Sequence, residues 1–142
     1  MYLWDANILR HFVQGHPTLR LHLLRVPWGE IALPSVVVAE VLRGRCEFAL
    51  KASPAQAPPA HERLQETLQM LSRFHIMVFD QASAEVMERL RRRHRRRKRY
   101  ADLLIAAMAI AGRHVIVTRN QTDFVDVLPP TQVVNWIDDP PG

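Results

Sequence analysis

Several carboxylates lie in apolar stretches of the sequence, where a charged side chain costs free energy. Asp5 ends an apolar run at the start of the chain, Glu40 lies within a run of valines and leucines, and Asp102 opens a long apolar stretch. Asn120 and Asp123 follow another apolar run. Carboxylate oxygens are the ligands that Mg²⁺ and other hard divalent cations prefer. If these side chains meet, a bound cation could activate a water and neutralise charge on a phosphate undergoing hydrolysis.

Each of these residues also has an ordinary structural interpretation. The two aspartates that precede helical patterns could simply be helix N-caps. Glu40 could pair on a solvated helix face with Arg43 and Glu47, at helical spacings. Asn120 and Asp123 could be turn residues, a common position for both types. The sequence alone leaves these alternatives open for each residue.

The elements that must position the acids alternate along the chain. Apolar runs predict strands at residues 1–4, 31–33, 76–79, 114–117 and 133–134. Helical spacing predicts helices at 8–13, 17–26, 36–50, 61–74, from Asp80 or Ser83 into the arginine-rich segment, and at 103–111. This alternation favours an α/β fold, a three-layer α/β/α sandwich with a central, mainly parallel sheet. Parallel strands end at one edge, so the acids are expected to meet there.

The length and composition favour one folding unit. With 142 residues, 48% of them hydrophobic, the chain can bury one sizeable core, and we expect a single domain over residues 1–142. The proline-rich stretch 53–60 predicts a loop, and residues 138–142 predict a short tail. Ser35 is the expected cap of the third helix.

Other kinds of site are disfavoured. The single cysteine, Cys46, cannot form an internal disulfide and is expected to be a small packed side chain. The seven histidines show no zinc-binding HExxH motif, and no glycine-rich phosphate loop is present. The start of the chain lacks the basic region of a secretory signal, and the apolar run 103–112 is too short to cross a bilayer. We therefore expect a cytoplasmic protein without a membrane partner.

Positive charge is concentrated in one segment. The chain has 19 Lys and Arg against 14 Asp and Glu, a net charge of +5, yet eight of the basic residues fall within residues 91–99. This basic segment could be a solvated helix end. Its position directly before Asp102 favours instead a surface that contacts RNA phosphates. Its candidate RNA-binding residues are Arg91, Arg92, Arg93, Arg95, Arg96, Arg97, Lys98 and Arg99.

Four motifs in order along the chain resemble those of the PIN-domain ribonucleases, most closely the VapC-type toxins of type II toxin–antitoxin pairs. They are residues 3–9 (LWDANIL), 38–44 (VAEVLRG), 101–107 (ADLLIAA) and 117–124 (VTRNQTDF), with Asn135-Trp136 near the end. Each motif is degenerate alone, but four in the family's order make a specific signal. Two departures from the family pattern are visible. Relatives often carry Thr or Ser after the first aspartate, where this chain has Ala6, and some relatives carry an acid where this chain has Asn120, so Asp123 is the favoured fourth acid.

This resemblance implies a Mg²⁺- or Mn²⁺-dependent endoribonuclease acting on RNA, with loops of tRNA or rRNA as plausible targets. The implied catalytic and metal-binding acids are Asp5, Glu40, Asp102 and Asp123, supported by the polar residues Asn7, Thr118 and Asn120. The resemblance also implies a homodimer and a cognate antitoxin that occupies the active-site groove. Operator DNA would then be contacted only indirectly, through the antitoxin.

Two other functions are compatible with parts of the sequence. Arg89 and His94 match the RxxxxH spacing of the helical, metal-independent HEPN ribonucleases, although such a match is nearly inevitable in so arginine-rich a segment. A non-catalytic nucleic-acid-binding protein could use the basic segment alone. It would bind without cleaving and would be indifferent to loss of the acids.

Overall fold

The described part of the chain, residues 1–94 and 99–142 of a computed structural model, contains five strands and six α-helices. The strands are β1 (Tyr2–Trp4), β2 (Ile31–Pro34), β3 (His75–Met77), β4 (Val115–Val117) and β5 (Val133–Val134). The helices are α1 (Ala6–Val13), α2 (Pro17–Leu23), α3 (Ser35–Lys51), α4 (Ala57–Leu71), α5 (Gln81–Arg93) and α6 (Tyr100–Gly112). Strands and helices follow one another in the predicted order, with two helices each between β1 and β2, β2 and β3, and β3 and β4.

The strands form one sheet in the order β3-β2-β1-β4-β5, and every pairing is parallel. Leu3 of β1 lies opposite Ala32 of β2 on one side and Ile116 of β4 on the other. The chain therefore builds outward from β1 in one direction, then returns to place β4 against its other side. Such a reversal of strand order opens a crevice at the carboxyl ends of the strands.

Alternate residues of each strand face opposite helical layers, as the pleat of a strand requires. Leu3 and Ile116 pack in a core with side chains of α5 and α6. Trp4 and Val117 point to the other face and pack with side chains of α1, α2 and α4. The predicted three-layer α/β/α sandwich is confirmed.

Helix α6 carries the long apolar stretch and is largely buried, as predicted. Its buried side chains are Leu103, Ile105, Ala106, Ala107, Met108 and Ala109. Within residues 1–94 and 99–142, no helix has both the length and the apolar character that crossing a bilayer requires.

The predicted loop at 53–60 is wrong in its second half, because α4 begins at Ala57. Pro58 and Pro59 therefore lie in the first turn of this helix. Proline is tolerated there because the first N–H groups of a helix have no acceptor within it. Proline content alone does not distinguish a loop from a helix start.

Two side-chain predictions are also wrong. Ser35 begins α3 rather than capping it, and its hydroxyl oxygen accepts the Phe79 N–H at 3.1 Å, which ties α3 to the chain beyond β3. Cys46 is exposed rather than packed. The tail also has contacts, since the carbonyl oxygens of Asp139 and Gly142 accept hydrogen bonds from His22 and Arg25.

Candidate active site

A pocket of about 230 Å³ lies at the carboxyl edge of the sheet, beside the reversal of strand order between β1 and β4. Side chains from four parts of the chain line it: the end of β1 with α1, the second turn of α3, the first turn of α6, and the turn after β4. The predicted residues among them are Asp5, Asn7, Glu40, Asp102, Asn120 and Asp123.

Asp5 is held at both of its carboxylate oxygens. Oδ1 accepts the Ile8 N–H at 2.9 Å and so caps α1, while Oδ2 accepts the Thr118 hydroxyl at 2.6 Å. Burial raises the pKa of Asp5, and nearby Asp123 adds to this, whereas the hydrogen bonds oppose it. The N-cap interpretation is confirmed for Asp5, and the same side chain also lines the pocket.

Asp102 is oriented by its helix without capping it. Arg99 is the N-cap residue of α6, and Asp102 lies in the first turn, so the N-cap interpretation is wrong here. Burial raises the pKa of Asp102, Arg99 opposes this, and the charges of Asp123, Glu40 and Asp5 add to the rise. The negative charges of the other three acids therefore act on Asp102 across the pocket.

Glu40 forms an ion pair across the pocket mouth. Its Oε2 lies 3.4 Å from Nη2 of Arg99, and the side chains are 25% and 74% exposed, respectively. The surface pairing of Glu40 with Arg43 is therefore wrong, because its ion pair is made to the N-terminus of α6. An exposed arginine that holds a site carboxylate can leave it at small cost, since such pairs contribute little free energy in water.

The donor groups suit a hard cation in an open arrangement. Asn7 Oδ1 is a buried oxygen that finds no hydrogen-bond donor among the described residues, and it belongs to a pocket-lining side chain. Carboxylate and amide oxygens are the donors that Mg²⁺ takes, usually together with several waters. Among residues 1–94 and 99–142, no three His, Cys, Asp or Glu side chains are already close enough to enclose one ion.

The turn after β4 is anchored by polar contacts. The Thr118 hydroxyl oxygen accepts the Asn120 N–H at 3.0 Å while donating to Asp5, so one buried hydroxyl joins two parts of the site. Arg119 forks onto the Asp138 carboxylate at 3.0 and 3.1 Å, and Asp138 accepts a further bond from Asn135 at 2.9 Å.

Comparison with known proteins identifies the family. The sequence model of the PIN-domain family matches residues 2–127 of the chain. This chain belongs to the PIN-domain family. Proteins of this family are generally metal-dependent nucleases, and the acidic pocket of this PIN domain has the donor groups that such chemistry requires.

Solved structures with the same fold come from toxin–antitoxin systems. VapBC2 from Rickettsia felis, solved with a promoter DNA fragment, is 28% identical, with 95% of this chain and 98% of that chain covered and a TM-score of 0.69. A toxin–antitoxin complex from Klebsiella pneumoniae is 26% identical, with 96% and 98% covered and a TM-score of 0.68. FitAcB from Neisseria gonorrhoeae is 25% identical, with 98% and 100% covered and a TM-score of 0.72. No curated protein sequence matches the chain.

The described residues of the basic segment lie at the end of one helix and directly before the next. Arg91, Arg92 and Arg93 are exposed in the last turn of α5, and Arg99 caps α6 beside the pocket. Four of the predicted RNA-binding residues lie outside the described residues: Arg95, Arg96, Arg97 and Lys98.

The HEPN alternative is wrong, because the HEPN fold is all-helical, whereas this PIN domain contains a parallel sheet. Neither Arg89 nor His94 lines the acidic pocket. Arg89 is exposed, and His94 Nδ1 lies 3.7 Å from a carboxylate oxygen of Asp126.

One charged pocket residue of this PIN domain is missing from the sequence predictions. Arg10 lines the acidic pocket from α1. It follows Asn7 by three residues, which puts both on one helix face, so helical spacing could have found it. A positive charge at this place can contact a phosphate that enters beside the carboxylates.

Proposed function

We propose that this PIN domain is a divalent-metal-dependent endoribonuclease and the toxin of a toxin–antitoxin pair. The observation that carries the proposal is the meeting of Asp5, Glu40, Asp102 and Asp123 in one pocket at the carboxyl edge of the sheet. These residues come from distant parts of the sequence. The burial of Asp5 and Asp102 and the repulsion among the carboxylates cost free energy that a bound cation would offset.

The four acids would hold Mg²⁺ or Mn²⁺ partly through waters, because no three of them already enclose one ion, and Asn7 and Asn120 would be neutral oxygen donors. When bound, the cation supplies an activated water and charge neutralisation at phosphorus. Thr118 orients Asp5 by donating to its Oδ2, and the cap bond to Ile8 fixes the other oxygen. The site is thus rigid at Asp5 and more open at Glu40.

Arginines would bind the RNA backbone around these acids. Arg10 and Arg99 line the pocket, and guanidinium groups match phosphate oxygens through paired hydrogen bonds. Arg99 would exchange its contact with Glu40 for a phosphate. The basic segment would attract RNA toward a pocket whose own charge repels it.

Partners follow from the toxins that this PIN domain resembles. An antitoxin would cover the active-site groove, and operator DNA would be contacted through that antitoxin. DNA as a partner is supported by VapBC2 from Rickettsia felis, which was solved with a fragment of promoter DNA. We propose a homodimer as the form of the toxin.

Cleavage of total RNA tests the proposal. The purified protein should cut RNA with Mg²⁺ or Mn²⁺ and lose activity in EDTA, and mapping of the 5′ ends should reveal discrete sites. Asp5→Asn should lower cleavage by at least about a hundredfold, because a charged metal ligand is lost. The fold should be retained, because asparagine also caps helices.

Asp80→Asn is the matched control, since Asp80 caps α5 with the same 2.9 Å bond and does not line the pocket. It should cleave like the wild type. Binding without cleavage in every metal, unaffected by Asp5→Asn, would instead establish the non-catalytic nucleic-acid-binding function.

A further inference from the structure

A second, larger groove adjoins the acidic pocket. It has a volume of about 970 Å³ and lies between the first three turns of α3 and the beginning of α6, with the chain beyond β3 as its third side. Glu40 and Arg99 line both cavities. A molecule seated in the groove would therefore be in contact with the edge of the carboxylate site.

The groove combines an apolar floor with one exposed aromatic ring. Val36, Phe79 and Leu104 supply apolar surface, and Tyr100, which is 57% exposed, stands at the beginning of α6. The exposed ring adjoins the apolar lining of the groove and offers a surface on which a second flat group can stack. A flat apolar ligand is the natural occupant.

The charges at the groove are mainly positive. Arg43 and Arg99 line it, against the single carboxylate of Glu40. The guanidinium carbon of Arg91 lies 5.6 Å from the centroid of the Tyr100 ring, so a third arginine stands at the aromatic side chain. An aromatic ring among arginines suits a ligand that carries both a flat base and phosphate groups.

We propose that this groove is a nucleobase subsite, which takes one nucleotide of single-stranded RNA next to the phosphate that is cut. Tyr100 stacks on the base, while Arg43 and Arg99 contact the flanking phosphates. This inference rests on the proposed ribonuclease function, and it names the part of the chain that grips the substrate beside the acids. Unstacked bases of RNA loops are commonly recognised by such aromatic stacking.

A second copy of the chain fits the groove less well. A two-fold interface brings the same patch of both copies together, so an axis at this groove would oppose Arg43, Arg91 and Arg99 with their counterparts. Like charges facing one another across an interface cost several kcal/mol. RNA phosphates satisfy the same arginines.

The test combines two variants with an altered RNA. Fluorescence anisotropy in EDTA would measure the affinity of the full-length protein for a short, labelled single-stranded RNA that spans a mapped cleavage site. Tyr100→Leu should weaken binding about tenfold, the loss typical of one base–aromatic stack. Tyr100→Phe keeps the ring and should bind like the wild type.

An abasic nucleotide placed at each position in turn identifies the base concerned. At one position beside the cleavage site, the abasic nucleotide should weaken binding to the wild type relative to the intact RNA. Tyr100→Leu should bind the abasic and the intact RNA equally. Equal affinities of Tyr100→Leu and wild type for the intact RNA would overturn the subsite. The subsite would also be overturned if, at every position, the loss of affinity caused by Tyr100→Leu and the loss caused by the abasic nucleotide simply added.

Sedimentation of the same variants examines the alternative occupant. If Tyr100→Leu dissociates an oligomer while each subunit keeps its RNA affinity, the groove is an interface between copies and the subsite is wrong. Failure of the ribonuclease proposal looks different. In that case the wild type leaves RNA uncut in Mg²⁺ and Mn²⁺, no cleavage site can be mapped, and the subsite next to a cut phosphate falls with it; a tenfold loss for Tyr100→Leu on an unrelated single-stranded RNA would then show base binding alone.

Discussion

Asp5 and Asp80 show how one residue type acquires two properties. Both cap a helix, with Oδ1 accepting an N–H at 2.9 Å. The pKa of Asp5 is raised, because burial and the charge of Asp123 disfavour its ionised form. The pKa of Asp80 is lowered, because the Ser83 hydroxyl and N–H bond to its exposed carboxylate. The surroundings decide which aspartate is suited to a cation.

Metal binding should therefore stabilise the protein through Asp5 and not through Asp80. Saturating Mg²⁺ or Mn²⁺ should raise the melting temperature of the wild type, with about 2.7 kcal/mol of stabilisation at one hundred times the Kd. Differential scanning fluorimetry with and without chelator measures the shift.

Asp80→Asn should keep this metal-dependent shift and Asp5→Asn should lose most of it. Equal shifts in both variants would place the cation elsewhere.

The capping bond of Asp80 should make stability depend on acid. Because its folded-state pKa lies below the ordinary value of 3.8, its contribution is fully present above that pH. The contribution disappears as the pH falls from there through the lowered pKa. Thermal melts between neutral pH and strong acid should thus show Asp80→Asn losing less stability than the wild type. Parallel curves would contradict the assignment.

The turn after β4 is the element on which the site depends most directly. Parallel pairing of β4 with β1 places Thr118 beside Asp5, 113 residues away in sequence. The Arg119–Asp138 pair then fastens the same turn to the chain after β5. Asn120 and Asp123 leave from this anchored turn, so their positions depend on two strands that neighbour one another only in space.

Thr118→Val should loosen this element. The variant loses a buried hydroxyl that donates to a carboxylate and accepts an N–H, with an expected loss of about 1–3 kcal/mol in the free energy of unfolding. Urea denaturation measures it. RNA cleavage and the metal-dependent melting shift should also fall, because Asp5 loses the bond that orients it.

Thr67→Val is a suitable comparison. Thr67 is also buried and its hydroxyl also makes two bonds, to Arg45 and to the Arg63 carbonyl oxygen, outside the acidic pocket. It should lose stability and keep the metal-dependent shift. A loss of that shift in both variants would mean that general destabilisation, and not the Thr118 contact, is responsible.

On the scale of the whole molecule, charge is divided between an acidic pocket and a basic segment next to it. Without residues 91–99, the chain has 11 basic and 14 acidic residues, so the net charge of +5 comes from this segment. Arg99 connects the two regions, because it ends the basic segment and pairs with Glu40. If the protein acts on RNA as proposed, long-range attraction of RNA and short-range repulsion at the acids would come from neighbouring residues.

Removing part of the basic segment should weaken RNA binding in a salt-dependent way. Arg95→Ala, Arg96→Ala and Arg97→Ala together should reduce the slope of log K against log salt by about 2, since each single-strand phosphate contact contributes about 0.7. Anisotropy titrations at several salt concentrations measure the slope. Metal binding should be unchanged.

Lys51→Ala is the control, because Lys51 ends α3 about 16 Å along the helix from Glu40. It removes a positive charge without reducing the slope. If the triple variant keeps the wild-type slope, the segment does not contact RNA phosphates.

The fold class was predictable from the sequence because it follows from local patterns. Apolar runs and helical spacing arise within a few residues, and they place the strands within one or two residues of where they lie. Helix ends are less certain locally. Proline is common both in loops and in the first turn of helices, so Pro58 and Pro59 are compatible with either. The packing of α4 decides between the two.

By itself, the sequence determined the alternation of strands and helices, the excess of positive charge in one segment, and the set of acids in apolar surroundings. The tertiary structure decided which of these residues meet. The sheet order puts β4 against β1 and so joins Thr118 to Asp5, while the start of α6 brings Arg99 to Glu40 and leaves Tyr100 exposed. Such contacts join residues far apart in the chain, and they exist only because burial of both faces of the sheet fixes the elements in space.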